Sequence, residues 1–264
     1  MIILKSEENK EKIRDYWETR LPQRWYSRKK EGTGEYYDEI TKERFTTQYP
    51  FLLKDAEFDK HNGEKVLEVG CGIGTDSLMY AKNGAKVYGV DLTQTAADTC
   101  KKRFRMYDLA GAFKRMDAEH LEFPDNSFDF AYSFGVLHHT PKTKESIEEV
   151  RRVLKPRHST VMMLYARGWM YCVFFPLYHG LLRGELFKMS WNQLVHKHYE
   201  IEGNVPLVKV YTRKGVMKLF DGYSKVKVWR RPLINSLGER FPNKGLVRQL
   251  EKVWGGCWMI KATK

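Results

Sequence analysis

The stretch VLEVGCGIGTDS, Val66 to Ser77, sets three glycines at alternate positions directly behind an acid. The glycines are Gly70, Gly72 and Gly74, and the acid is Glu68. A glycine-rich turn that leaves a strand and enters a helix lets a ligand approach backbone amides at the head of a parallel sheet. A dinucleotide turn is spaced GxGxxG or GxGxxA, because its third small residue lets helix and strand pack closely. Here the third place falls on Thr75 counted from Gly70, and on Ser77 counted from Gly72. Neither fits. A pyrophosphate beside Glu68 would also meet a like charge in a low-dielectric pocket.

A cationic cofactor removes that conflict. S-adenosylmethionine carries an ammonium and a sulfonium and has no phosphate, so a carboxylate at the turn attracts it. Asp91 ends the next apolar run, 17 residues beyond Gly74, where an acid bonds both hydroxyls of a ribose. Asp117 ends a third run and is placed to accept from the adenine amino group. Methyl transfer from a sulfonium is an in-line displacement, so the protein aligns the acceptor and excludes water. A hydroxyl or phenol acceptor needs a base, whereas a neutral amine does not. His138 and His139 follow the fourth apolar run, and His138 is the first candidate base. Tyr36 and Tyr37 lie in an aromatic N-terminal segment expected to close over the site, with Tyr37 as the second candidate. His196 and His198 have no acid or cysteine cluster beside them, and no metal is expected.

These residues need elements to carry them. Residues 5–20 read as a polar helix with Ile13, Tyr16 and Trp17 on one face. A basic, aromatic loop follows, then a helix from Gly34 to Tyr49, where Pro50 disturbs it. EKVLEVG, AKVYGVDLT, AFKRMDA, SFDFAYSFG and STVMMLYA read as five strands. Helical patterns separate them: TDSLMYAKNG with Gly84 as its stop, Thr93 to Leu109, and TKESIEEVRRVLKP. Near-continuously apolar strands alternating with helices predict a parallel sheet covered on both faces. Beyond Ala166 the alternation breaks, then resumes with a helix capped by Thr212, an alternating SKVKVW and a last strand, CWMIKATK.

The motifs EVGCGIGTD, VDLT, MDAEHLEFPDNSFDFAYSFGVLHHT and VRRVLKP together resemble the class I S-adenosylmethionine-dependent methyltransferases, over residues 60–165. The resemblance implies a Rossmann-like α/β fold. Its doubly wound sheet is mostly parallel with an antiparallel last strand, joined by N-terminal helices and a cap insertion after the fifth strand. It implies that Glu68, Gly70, Gly72 and Gly74 approach the methionine part of S-adenosylmethionine, and that Asp91 and Leu92 meet the ribose. Asp117 and Ala118 would read the adenine, with Ser133 and Phe134 beside the reactive end. LKPRHS departs from the family's LKPGG at a turn away from the cofactor.

The expected organisation is an N-terminal helical lid over 1–58, a cofactor-binding core over 59–166, a cap over 167–211 and completion of the core over 212–264. No signal-peptide pattern opens the sequence, and none of the four cysteines forms a CxxC pair, which favours a reducing, cytoplasmic setting. The apolar run from Gly168 to Leu182 contains Pro176 and is too short to span a bilayer, which leaves a substrate cap or a peripheral membrane contact. Residues 151–264 carry sixteen more basic than acidic side chains, an asymmetry suited to an anionic partner. The expected acceptor is small and hydrophobic, lipid-like or a natural product. A peptide or protein side chain gripped by the basic half is the alternative. RNA ranks lower, because SFGV replaces the Asn/Asp-Pro-Pro-Tyr tetrad of base-amine methylation.

Overall fold

In the computed structural model, residues 6–168, 177–182, 184–188, 205–232 and 256–264 are described. His196, His198 and most of the run from Gly168 to Leu182 lie outside them. The helices are α1 (Ser6–Thr19), α2 (Gly34–Glu43), α3 (Leu52–Asp55), α4 (Thr75–Lys82), α5 (Gln94–Met106), α6 (Thr143–Val153) and α7 (Arg213–Leu219). The strands are β1 (Lys65–Val69), β2 (Lys86–Asp91), β3 (Gly111–Arg115), β4 (Phe128–Phe134), β5 (Leu154–Tyr165), β6 (Lys225–Arg231) and β7 (Cys257–Thr263).

The strands form one sheet in the order β3-β2-β1-β4-β5-β7-β6. β1 to β5 pair in parallel, and β7 runs antiparallel to both β5 and β6. Alternate side chains go to opposite layers. Leu67, Val69 and Ala131 pack under α6 and α7 with Ile147, Val150, Val216 and Phe220. Val66, Phe130 and Tyr132 pack on the other face with Leu78 of α4, Cys100 and Phe104 of α5, and Leu52 of α3. This is the expected doubly wound α/β sheet. Its order reverses between β1 and β4, and that reversal opens a crevice at the strands' carboxyl ends.

The helix starts follow local chemistry. Thr93 and Thr212 accept from the amides of Ala96 and Gly215, which caps α5 and α7. α2 continues as a wide turn over Arg44–Gln48 and stops before Pro50, as its sequence predicts. Two boundaries differ from expectation. β5 begins at Leu154 rather than Ser159, because Leu154 already pairs with Phe128 before an irregularity shifts the register. β3 ends at Arg115, and Asp117 stands just beyond it in a tight turn closed by the His120 amide on the Asp117 carbonyl (3.0 Å).

Candidate active site

The turn after β1 supplies the floor of the site. Gly70 has a φ of +82°, and a Cβ there would lie 2.2 Å from a Val136 methyl. Only glycine therefore lets the turn pass beneath the tip of β4. The Gly70 and Cys71 amides donate to the Val90 carbonyl at 2.7 and 3.1 Å. The Gly72 amide donates to Asp91 Oδ2 at 3.0 Å. Asp91 Oδ1 accepts from the amide and hydroxyl of Thr93 at 3.0 and 2.8 Å. Burial pushes the Asp91 carboxyl up, against the downward pull of these hydrogen bonds.

Glu68 is buried and accepts a hydrogen bond from the Ser77 hydroxyl. Burial and the neighbouring Asp76 carboxylate push Glu68 well above the ordinary carboxylate range. Asp76 is itself clamped by Arg44, whose Nε and Nη2 each lie 2.5 Å from a carboxylate oxygen. Tyr132 donates its hydroxyl to Asp76 Oδ2 at 2.9 Å. The Arg44 guanidinium also faces the rings of Phe134 and Tyr49, at 5.0 and 5.3 Å. Asp117 Oδ1 accepts from the Glu119 amide at 2.9 Å. Its Oδ2 lies 2.5 Å from Lys10 Nζ, which also reaches Glu119 at 2.7 Å. Lys10 belongs to α1. Glu18, at the far end of the same helix, accepts from the first amides of α5, Gln94 and Thr95. So α1 is strapped across the crevice at both ends.

One cavity of about 240 Å³ gathers these groups. Of the sequence-predicted residues, Glu68, Gly70, Gly72, Asp91, Leu92, Asp117, Ala118 and Phe134 line it. The lining is also rich in aromatic rings: Trp17, Trp25, Tyr26, Tyr49 and Tyr165. Four predicted residues lie off the wall. Gly74, with φ +75°, starts α4 and faces Cys100. Ser133 donates its hydroxyl to the Val69 carbonyl at 2.8 Å and ties β4 to β1. Tyr37 is buried among Leu21, Ile40 and Ile73, with the Arg103 guanidinium 4.7 Å above its ring.

His138 is the fourth. It has no exposed surface, neither ring nitrogen has a hydrogen-bond partner, and the ring stacks 3.7 Å from that of Tyr165. Burial and the neighbouring His139 hold it well below the usual imidazole range, so it stays neutral. His139 instead lines the cavity. Its Nδ1 lies 2.7 Å from the Leu207 carbonyl. A carbonyl only accepts, so Nδ1 is the donor in this contact, and in the neutral ring Nε2 is the acceptor nitrogen.

Sequence reasoning passed over Lys10, Arg44, Asp76 and Glu119 as cavity residues. Asp76 stood within the glycine-turn motif. Glu119 stood within the motif that opens MDAEH, and Lys10 and Arg44 have no local pattern that separates them from surface charges. Among the described residues no group of three or more His, Cys, Asp or Glu is gathered for a metal ion, and no helix is long and apolar enough to cross a membrane.

The switch-point crevice, the glycine turn and the acids at three strand ends define a Rossmann-like methyltransferase domain. Residues 67–161 match the family described as a methyltransferase domain, so this stretch is a class I S-adenosylmethionine-dependent methyltransferase domain. Methyltransferase GfsG of Streptomyces halstedii is 35% identical over 101 residues, 37% of this chain and 36% of that protein. The phthiotriol/phenolphthiotriol dimycocerosates methyltransferase of Mycobacterium tuberculosis H37Rv is 41% identical over 96 residues, 36% of this chain and 35% of that protein. The chain thus spans about a third of the length of the curated relatives it matches. Among solved structures, the Haemonchus contortus phosphoethanolamine N-methyltransferase 2, in complex with phosphomonomethylethanolamine and S-adenosylhomocysteine, superposes with a TM-score of 0.61. At 18% identity, covering 96% of this chain and 60% of that one, it shows a shared fold.

Proposed function

We propose that the chain transfers the methyl group of S-adenosylmethionine to a small, apolar acceptor of lipid or natural-product type. The observation that carries this reading is one cavity lined both by acids from three strand ends and by aromatic rings. The acids fit the cofactor by their charge and position. Glu68, Asp91 and Asp117 come from three adjacent strand ends, and Gly70 and Gly72 line the cavity with backbone that bears no side chain. When bound, S-adenosylmethionine supplies an electrophilic methyl group on a sulfonium. Glu68 would receive the ammonium, Asp91 the ribose hydroxyls, and Asp117 the adenine amino group beside Lys10. Strapped α1 would serve as the lid that keeps water from the methyl.

The aromatic rings would hold the acceptor, because they bind apolar surface without fixing one polar group. For a hydroxyl acceptor, Nε2 of His139 is the group with a lone pair to take the proton. The mycobacterial relative, a phthiotriol/phenolphthiotriol dimycocerosates methyltransferase, supports an acceptor of this kind.

The test is incubation with methyl-labelled S-adenosylmethionine and separate lipid extract, peptide and RNA fractions. Label is expected in the lipid extract; label confined to peptide or RNA would overturn the acceptor class. With the lipid acceptor, His139→Gln should lower kcat by roughly 10²-fold while His138→Gln changes it far less.

A further inference from the structure

The loop between α1 and α2 is left unused by this chemistry. From Arg20 to Lys30 it carries Arg20, Arg24, Arg28, Lys29 and Lys30, with no acid among them. All five are exposed. Arg24 pairs with Glu31, and Lys29 lies 3.6 Å from Glu35. Both pairs are exposed, so water and salt screen them and the cations keep most of their attraction for a larger anionic surface.

Trp25 sits in the middle of this run. It is 46% exposed and at the same time lines the cavity, so the basic loop stands at the mouth of the site. Its ring meets Tyr26 edge-on at 5.5 Å, and Tyr26 is a cavity residue too. Inside the cavity the cations Lys10 and Arg44 are each paired with an acid, whereas the rim adds a run of cations around an indole. Cations alone would suit any polyanion. An exposed indole among them suits a surface that is anionic outside and apolar just beneath, because tryptophan settles at that boundary and Lys and Arg stems bury along it.

We propose that the Arg20–Lys30 loop docks the cavity mouth on an anionic lipid surface, so that an apolar acceptor passes from the bilayer to the aromatic rings of the site. This rests on the acceptor class proposed above. Docking itself is measured without methyl donor, so the two can fail separately.

The test is co-sedimentation of the full chain with vesicles of phosphatidylcholine alone and of phosphatidylcholine with equal phosphatidylglycerol. Binding is expected on the mixed vesicles only, weakening steeply with salt. The variant R28A/K29A/K30A should bind them at least about ten-fold more weakly while S-adenosylhomocysteine raises its Tm as it does that of the unmodified chain. Three results would overturn the proposal: equal binding to both vesicle types, undiminished binding by the variant, or loop-dependent binding to transfer RNA with none to vesicles. The comparison of vesicles and the salt series need no variant, so a misfolded triple substitution does not remove the test.

Discussion

At the tip of β4 two adjacent imidazoles have different surroundings. His138 is sealed behind Tyr165, and His139 faces the cavity with its tautomer set by the Leu207 carbonyl. The spacing GVLHHT cannot separate them, because a short single turn over Leu137–His139 decides which ring points inward. His138 has a measurable consequence. Its folded-state pKa lies below the unfolded value near 6.5, so between those two values the unfolded chain holds a proton that the folded chain lacks. Stability therefore rises with pH up to about 6.5 and is lost as pH falls below it. In thermal melts, His138→Leu should flatten the acid side of the Tm profile; an unchanged slope would show that other groups set it. Asp91 tests the cofactor end. Asp91→Ala should weaken S-adenosylhomocysteine by roughly 100-fold in calorimetry, the scale of two lost hydrogen bonds to a charged group.

At the scale of elements, the departure LKPRHS acquires a physical reading. Arg157 occupies the left-handed region at φ +67°, the conformation for which the resembled family's glycine is suited. Arg157→Gly should raise stability by about 0.5–1 kcal/mol in denaturant melts, since a non-glycine side chain costs about 1–2 kcal/mol there and glycine returns part of that as backbone entropy. The alternation of strands and helices was legible in the sequence because buried parallel strands are apolar almost throughout and Thr93 and Thr212 announce their helices. The acids of the site were legible for a related reason: acids at the ends of apolar runs stand out. Its aromatic rings were not. Trp17 reaches the cavity from α1, which is strapped over it through Lys10 and Glu18 by contacts between positions 76 to 107 residues apart, and Trp25 and Tyr49 come from the segments that follow α1 and α2. The Arg44–Asp76 clamp escaped for the same reason, with partners 32 residues apart on different elements.

For the whole molecule, the buried acids make cofactor binding and folding oppose each other in pH. Glu68 is held above its ordinary range by burial and by Asp76, so the free protein keeps its proton to higher pH than an ordinary carboxylate does. A group raised in this way costs stability as pH climbs from the ordinary carboxylate range through the raised value. A bound ammonium opposes the raised value by attracting the carboxylate form. The rise in Tm given by a fixed concentration of S-adenosylhomocysteine should thus grow as pH climbs above the ordinary carboxylate range, and Glu68→Gln should remove most of that growth. A ligand-induced shift that stays constant with pH in the unmodified chain would count against an ammonium at Glu68.

The place of β7 bears on how the chain is made. It fills the slot between β5 and β6, pairing Ser159 with Thr263 across roughly a hundred residues of sequence. Synthesis delivers β5 well before that partner. Until residues 257–263 emerge from the ribosome, β5 shows a bare edge that includes Val161, Met162, Met163 and Leu164, all buried in the finished sheet. Such an edge is a template for pairing with the wrong chain. Translation rate and chaperone supply over the stretch between β5 and β7, rather than the intrinsic stability of the finished sheet, should therefore govern how much usable protein a cell obtains.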